Sequence, residues 1–350
     1  MNDFLSNYIL ILVLVGTMLL GAVAGLLGVF TILRKQALIG DALSHAALPG
    51  VVLSFIFFHE KSMIVLIFGA AIAAFVAIFL MQLIKKYSKI KNDAILAIIL
   101  SSFFGFGQVL LSLIRNEAGA SQAGLDHFIF GQAAAISTSD ILTIAASLVI
   151  VLIILTILWR HIKLFIFNEA YYQSLGFNPV FVRMILSVLT VLIVVVSIKS
   201  VGVILMSALL IAPGVAARQW SQKLFFNVLL AGIFGAISGL IGTILSANIS
   251  KLPTGPVIVI SASLIVIVSL LFAPKSGYIG NRIRFFIYQK RVSKFKVLIH
   301  IYENSLISNS QFEEVEELVK EAYAFKKGEE YFLTDKGMSV VTKLLTGGDL

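Results

Sequence analysis

The residues with the clearest chemistry in this sequence lie in one stretch, Gly-Asp-Ala-Leu-Ser-His-Ala-Ala-Leu-Pro-Gly at positions 40–50. Asp41 and His45 are four residues apart, so a helix places both side chains on one face. A carboxylate and an imidazole one turn apart supply half of a divalent-metal site built from oxygen and nitrogen ligands. Pro49 and Gly50 follow, and they predict a break or kink that frees backbone carbonyls.

The surroundings of this pair favour a functional role. The stretch begins an apolar segment that continues to Phe58. An ionisable residue inside a membrane span is costly, so it marks a functional site by default. Asp41 and His45 therefore predict an intramembrane metal site. The alternative is that the two side chains bond only each other or cap a helix end.

The composition of the whole chain is that of a helical membrane protein. Its 350 residues are 59% hydrophobic and 13% charged, whereas soluble domains carry about 25% charged residues. Several apolar runs reach the ~20 residues that a helix needs to cross a bilayer. A β-barrel would instead show short segments of alternating polarity. The sequence contains no cysteine, so oxygen and nitrogen ligands must hold any metal.

We therefore expect an all-α polytopic fold with about nine transmembrane helices. The count falls to eight if one element is broken or re-entrant, and the sixth and seventh runs are the candidates, because only a few residues around Lys199 separate them. The first run is longer than a signal-peptide core and is expected to be retained. The predicted spans are residues 8–33, 37–58, 62–84, 93–114, 139–158, 180–198, 200–217, 224–247 and 255–273.

Basic residues gather at alternate connections between these runs. Cytoplasmic loops are enriched in Lys and Arg, so the pattern predicts an external N-terminus and a cytoplasmic C-terminus. Residues 1–280 hold 16 Lys and Arg against 8 Asp and Glu. This excess is explained by membrane topology and is weak support for nucleic-acid binding. The basic groups are Arg34-Lys35, Lys85 to Lys91, Arg160 to Lys163, Arg218 to Lys223 and Lys275 to Arg284.

Two predicted external segments carry weaker candidates for metal ligands. His59 and Glu60 lie in the turn after the second span, and Glu117, Asp126 and His127 lie in the long connection after the fourth. Three roles are open for them, namely collecting a cation at the mouth of a pathway, contacting a delivery protein, or facing solvent.

A predicted cytoplasmic segment, residues 164–180, joins the fifth and sixth spans. Asn168 and Glu169 are suited to cap a short helix that Gly176 and Pro179 end. Such a helix suits docking of a soluble partner, and a plain connecting helix is the alternative. His161, just before it, is expected only to mark the inner side.

The character of the chain changes after the last span. We divide it into a transmembrane domain, residues 1–280, and a small cytoplasmic α+β extension, residues 281–350, that is winged-helix-like. The second helix of this extension is acidic, which argues against contact with DNA. The predicted elements are a helix over residues 295–302, a second over 310–321, two short strands within 323–333 and a last helix through 345.

The membrane part, roughly residues 5–275, resembles the metal-transporting ABC permeases, the integral subunits of importers for zinc, manganese or iron(II). The stretch at 40–50 looks like the signature of that family almost residue for residue. One departure is Asn168, where the family often has Asp. Three weaker matches follow in the family's order, over Asp126 to Gly131, Phe167 to Gly176 and Val201 to Pro213.

The resemblance implies a complex in the bacterial cell membrane. It would contain two permease subunits, identical or paralogous, two cytoplasmic ATPase subunits and an external metal-binding lipoprotein. Carried over, Asp41 and His45 are the intramembrane ligands of a transported divalent metal, and no permanently bound cofactor is implied. The coupling helix that contacts the ATPase is carried by Asn168, Glu169, Ala170 and Gly176.

Other functions are open or disfavoured on the residues themselves. The sequence has no Gly-x-x-x-x-Gly-Lys-[Ser/Thr] phosphate loop, so we expect ATP hydrolysis by a partner. A membrane metallohydrolase would need further ligands, such as a His-Glu-x-x-His helix, and none is found. Two alternatives stay open, a permease for a larger metal chelate such as a siderophore, and a permease whose C-terminal domain also acts as a regulator.

Overall fold

The apolar runs of the sequence fold into long helices, because backbone groups in lipid must be hydrogen-bonded within their own segment. The computed structural model describes residues 2–36, 38–58, 63–114, 136–249, 252–274, 277–304, 312–327 and 330–345. The chain divides into two compact units, Met1–Gly277 and Tyr278–Leu350.

The described part of the first unit consists of helices alone. In chain order they are α1 (Asn2–Leu33), α2 (Ile39–Phe58), α3 (Met63–Tyr87), α4 (Asn92–Ile114), α5 (Thr138–Ile157), α6 (Trp159–Phe167), α7 (Glu169–Ser174), α8 (Pro179–Val201), α9 (Val203–Trp220), α10 (Leu224–Asn248) and α11 (Thr254–Phe272).

Eight of the described helices are long and apolar enough to cross a membrane: α1 to α5, α8, α10 and α11. The predicted polytopic helical fold is therefore confirmed, with eight candidate spans. The predicted seventh span corresponds to α9, which is not among the eight. A single residue, Gly202, separates α8 from α9, and its φ of 81° is a conformation that glycine adopts without strain.

Small residues bring α1 and α10 into close contact. A Cβ atom on Gly21 would overlap the backbone of Gly235, and one on Gly25 would overlap the carbonyl of Ala231. The hydroxyls of Thr17 and Thr243 lie 2.9 Å apart across the same seam. Close backbone approach through small residues is how helices associate in lipid.

The helix with the Asp-His pair, α2, is the most enclosed candidate span. In its most apolar 18-residue stretch, 67% of the residues are buried, the highest share among the eight. It packs against α3, α4, α8 and α9. The contact with α3 is closest at Gly50 and Gly69, where an added Cβ would overlap the facing backbone.

The second unit contains α12 (Tyr278–Asn304), α13 (Phe312–Lys320), β1 (Ala324–Lys327), β2 (Glu330–Leu333) and α14 (Asp335–Leu345). The two strands form an antiparallel hairpin, with Ala324 opposite Leu333 and Lys327 opposite Glu330. In the described part of the unit this hairpin is the whole sheet. The buried core comprises Leu298, Ile301, Val315, Leu318, Ala324, Tyr331 and Val341.

One predicted element of this unit was wrong in extent. The helix expected over residues 295–302 is the end of α12, which begins at Tyr278. No proline or glycine interrupts residues 281–304, so nothing in the sequence stops the helix earlier. The observed order of helix, helix, hairpin and helix is the predicted one, and the winged-helix assignment stays a prediction.

Candidate functional site

Asp41 and His45 meet in the first turns of α2, as their spacing predicts. Nε2 of His45 lies 3.4 Å from Oδ1 of Asp41. The side chains are 21% and 31% exposed for His45 and Asp41, respectively, although the helix that carries them is mostly buried. Both groups therefore stay open to a cation while the rest of α2 is held by packing.

A neighbouring helix orients the imidazole. The ring of Phe104, on α4, meets the ring of His45 edge to face, with centroids 4.8 Å apart and planes at 77°. Edge-to-face contacts of this kind restrict ring orientation. The adjacent Ser44 hydroxyl is buried and has no hydrogen-bond partner among the described residues. The pair thus lies between apolar walls with few competing polar groups.

Helix α2 continues through Pro49 and Gly50 to Phe58, so the predicted break does not occur, and the alternative that was predicted, a kink, stays a prediction. Neighbouring helices hold a membrane helix together at a proline, which removes only one backbone donor. The missing N–H of Pro49 would otherwise donate to the carbonyl four residues earlier, that of His45. The carbonyl oxygen of His45 therefore lacks its intrahelical donor. A free backbone carbonyl near the pair was predicted from the position of Pro49.

The pair supplies only part of a coordination shell. Among the described residues, no group of three or more His, Cys, Asp or Glu side chains could hold a metal ion. The weaker candidates His59, Glu60, Glu117, Asp126 and His127 lie outside the described residues. A site with two side-chain ligands binds weakly, and a transport site must release its ion.

The second predicted site is the short helix α7. The backbone N–H of Tyr171 donates to Oδ1 of Asn168 at 2.9 Å, so Asn168 is the N-cap. Gly176, with a φ of 85°, follows the helix and allows the chain to turn. Pro179 is the first residue of α8 rather than the end of α7, a position where its missing N–H removes no helix bond.

An aromatic cluster fixes α7 to the preceding helix α6. Tyr172 is buried, and its hydroxyl lies 3.2 Å from Nδ1 of His161. The ring of Phe177 stacks on Tyr172 and meets the edge of His161. Burial raises the pKa of the Tyr172 hydroxyl, so it stays protonated at neutral pH. His161 was expected only to mark the inner side, and the structure gives it a packing role as well.

An ion pair joins α7 to the following helix. Arg183 on α8 donates to the carboxylate of Glu169. Arg183 was not predicted as a site residue, because nothing in local spacing links positions fourteen residues apart. Its isolated charge near the start of a span was the available signal. Ala170 and Gly176, which were predicted with Glu169, are exposed.

Known proteins match the part of the chain that contains both sites. Residues 6–273 match the ABC 3 transport family. The manganese transport system membrane protein MntC of Bacillus subtilis is 43% identical over 291 residues, which cover 83% of this chain and 67% of that protein. The zinc transport system membrane protein TroC of Treponema pallidum is 42% identical over 272 residues, which cover 78% of this chain and 91% of that protein.

A solved structure shares the fold. PsaBC from Streptococcus pneumoniae in complex with Fab aligns with a TM-score of 0.66 and 31% identity. The alignment covers 77% of this chain and 94% of that chain. The family match ends at residue 273, before the second unit begins.

Proposed function

We propose that this chain, which belongs to the ABC 3 transport family as the membrane permease subunit of a metal-ion ABC transporter, imports manganese, zinc or iron(II). The family assignment made from residues 40–50 is confirmed, and so is the expectation that a partner subunit hydrolyses ATP. Relatives of nearly equal identity are named for manganese and for zinc. Both metals therefore belong to the proposal, with iron(II) as a third ion that suits the same ligand types.

The observation that carries the proposal is the half-open Asp41–His45 pair on the most enclosed helix. A cation from an external binding lipoprotein would pass to this pair and leave on the inner side. A neutral imidazole is needed to bind metal, so protonation of His45 competes with the ion. A second permease, identical or paralogous, would contribute an equivalent pair and complete four ligands.

The proposed topology has an external N-terminus, a cytoplasmic C-terminus and α9 as a ninth crossing. The 18 residues of α9 extend about 27 Å, close to the thickness of a bilayer core. Arg34, Lys85 and Arg183 line one pocket, so the helix ends that carry these cations lie at one end of the bundle. The preference of Lys and Arg for cytoplasmic loops assigns that end to the inside.

The segment proposed to contact the ATPase is α7, with Asn168, Glu169, Ala170 and Gly176. Its support is the combination of an exposed outer surface with firm anchoring through Tyr172. A helix that receives force from another subunit must pass it on rather than deform. The connection from Glu169 to Arg183 leads from α7 into the span α8.

The second unit is proposed to be a cytoplasmic winged-helix-like extension, supported by its order of elements. Deletion of residues 281–350 tests what it contributes. If uptake is retained, the extension is not required for transport. If uptake is retained but is no longer controlled by metal, the extension has a regulatory role.

Uptake of radiolabelled manganese, zinc and iron(II) tests the main proposal. The measurement uses cells that express this chain with its ATPase and binding protein, and compares wild type with Asp41→Ala and His45→Ala. We expect uptake of one metal, lost in both variants at unchanged membrane levels. Asp93→Asn is the matched control, because Asp93 is an exposed carboxylate in the first turn of α4. Normal uptake in both variants would overturn the ligand assignment, and uptake of a chelate alone would favour the siderophore alternative.

A further inference from the structure

A small basic pocket lies where five helix ends of the first unit come together. It is an open cleft of about 30 Å³, so it admits one ionic group rather than a large organic ligand. The pocket is bounded by the end of α1 and the starts of α2, α4 and α8, with the last turns of α3. Its polar lining consists of Arg34, Gln36, Gln82, Lys85, Asn92, Arg183 and Ser187.

The charges of this pocket do not balance. Three cations line it, whereas the nearby carboxylate, Glu169, is already paired with Arg183. The side chains of Arg34 and Lys85 form no hydrogen bond or ion pair with any residue that the structure describes. Burial, and then repulsion by Arg183, lower the pKa of Arg34 to about 10, although Glu169 acts in the opposite direction. An anion in the pocket would offset both the burial of Arg34 and its repulsion by Arg183.

A second unsatisfied group points to the same place. Oε1 of Gln36, which also lines the pocket, is buried without a hydrogen-bond partner among the described residues. A carbonyl oxygen can accept from a hydroxyl but cannot bind a phosphate oxygen directly. The lining thus matches a group that carries both a phosphate and a hydroxyl.

The position of the pocket favours a lipid as the source of that group. Arg34 follows the last residue of a candidate span, and Lys85 lies in the last turn of another. These positions correspond to the level of phospholipid headgroups. Leu83, on α3 with Lys85, and Met184, on α8 with Arg183, are exposed apolar side chains at 43% and 44% and offer a surface to acyl chains. Basic pockets between transmembrane helices are typical sites for anionic headgroups.

We propose that the basic pocket binds the headgroup of an anionic phospholipid, with its phosphate held by Arg34, Lys85 and Arg183. Arg183 also pairs with Glu169 of α7, so the bound phosphate would neutralise the repulsion that Arg34 exerts on this connection. The effect on transport rests on the proposed coupling role of α7, but lipid binding itself does not. The hydroxyls of a phosphatidylglycerol headgroup give Gln36 its missing donor.

Two neighbouring lysines provide a matched test. Lys85 lines the pocket, whereas Lys86, one residue later and also exposed, lies over the ring of Tyr87. The full chain is purified with its ATPase, and native mass spectrometry measures binding of phosphatidylglycerol and of phosphatidylcholine. We expect Lys85→Gln and Arg34→Gln to weaken phosphatidylglycerol binding about tenfold, and Lys86→Gln to leave it within about twofold. Phosphatidylcholine should compete poorly with every form.

The other outcomes overturn the proposal. Equal weakening by Lys86→Gln would mean diffuse attraction to the basic end of the bundle. Displacement of the lipid by inorganic phosphate or glycerol phosphate at comparable concentration would identify a soluble anion as the ligand. Loss of ATPase subunits from the Lys85→Gln complex, with lipid binding unchanged, would assign the pocket to an acidic side chain of the partner. None of these measurements requires metal uptake, so they can fail or succeed independently of the transport proposal.

Discussion

The proposed metal pair, Asp41 and His45, and the proposed coupling helix α7 contain similar residue types in opposite arrangements. At the metal pair, a carboxylate and an imidazole lie 3.4 Å apart, stay partly exposed and have no third acidic or histidine ligand among the described residues. At α7, a carboxylate, an imidazole and an amide are each engaged, with Arg183, Tyr172 and the Tyr171 backbone, respectively. Unsatisfied ligands suit an ion that must leave again, and satisfied ones suit a segment that must stay rigid.

The largest effect expected from this contrast is that of replacing Asp41. Asp41→Asn removes the charge that attracts a divalent cation but keeps the side-chain shape. We expect uptake to fall to background, more than tenfold, while the ATPase still co-purifies with the permease. Loss of co-purification in this variant would break the separation of the two regions, since it would tie the metal pair to partner assembly. Asp93→Asn should keep both uptake and co-purification.

The next largest effect is expected from a substitution that disturbs the packing between α2 and α3. A Cβ on Gly69 would overlap both the Ser54 hydroxyl and the Gly50 carbonyl, whereas a Cβ on Gly105 would meet nothing within 4 Å. Gly69→Ala should therefore destabilise the permease by about 1–3 kcal/mol through overpacking, and Gly105→Ala should not. Thermal unfolding in detergent measures the difference. Equal melting temperatures would show that α2 and α3 can separate without loss, and that the metal pair is not held by this contact.

The ion pair between α7 and α8 is expected to affect coupling more than stability. Glu169→Gln and Arg183→Gln remove a partly exposed pair, which contributes only about 0.2–1 kcal/mol to folding. We expect transport to fall several-fold while the melting temperature stays unchanged. The charge exchange Glu169→Arg with Arg183→Glu should restore part of the uptake. No recovery in the exchanged protein, or no loss in the single variants, would remove the pair from the coupling route.

The smallest effect is expected at the cap of α7. Asn168→Ala removes the acceptor for the Tyr171 N–H, a change that costs about 1 kcal/mol of helix stability. Asn168→Asp keeps the acceptor and should match wild type. Hydrogen exchange at α7 measures the change, with faster exchange expected in the alanine variant only. Faster exchange in both variants would mean that the amide group, rather than a cap oxygen, stabilises the helix.

Local sequence features predicted the elements but not all of their limits. Apolar runs predicted the eight candidate spans, and the four-residue spacing of Asp41 and His45 predicted their shared face. The cap at Asn168 was also predicted, because capping depends on residues within one turn. Helix α2 continues through Pro49 instead of breaking there, because neighbouring helices decide whether a proline interrupts a membrane helix.

By itself, therefore, the sequence determined the helical membrane fold, the shared face of Asp41 and His45 and the family, all of which depend on composition or on residues close along the chain. Only the tertiary structure decided that α2 is the enclosed helix, that Phe104 orients His45 and that Arg183 holds Glu169. These contacts join residues far apart in sequence. Period and propensity describe one helix at a time, so which helices meet, and at which side chains, is fixed only when the bundle packs.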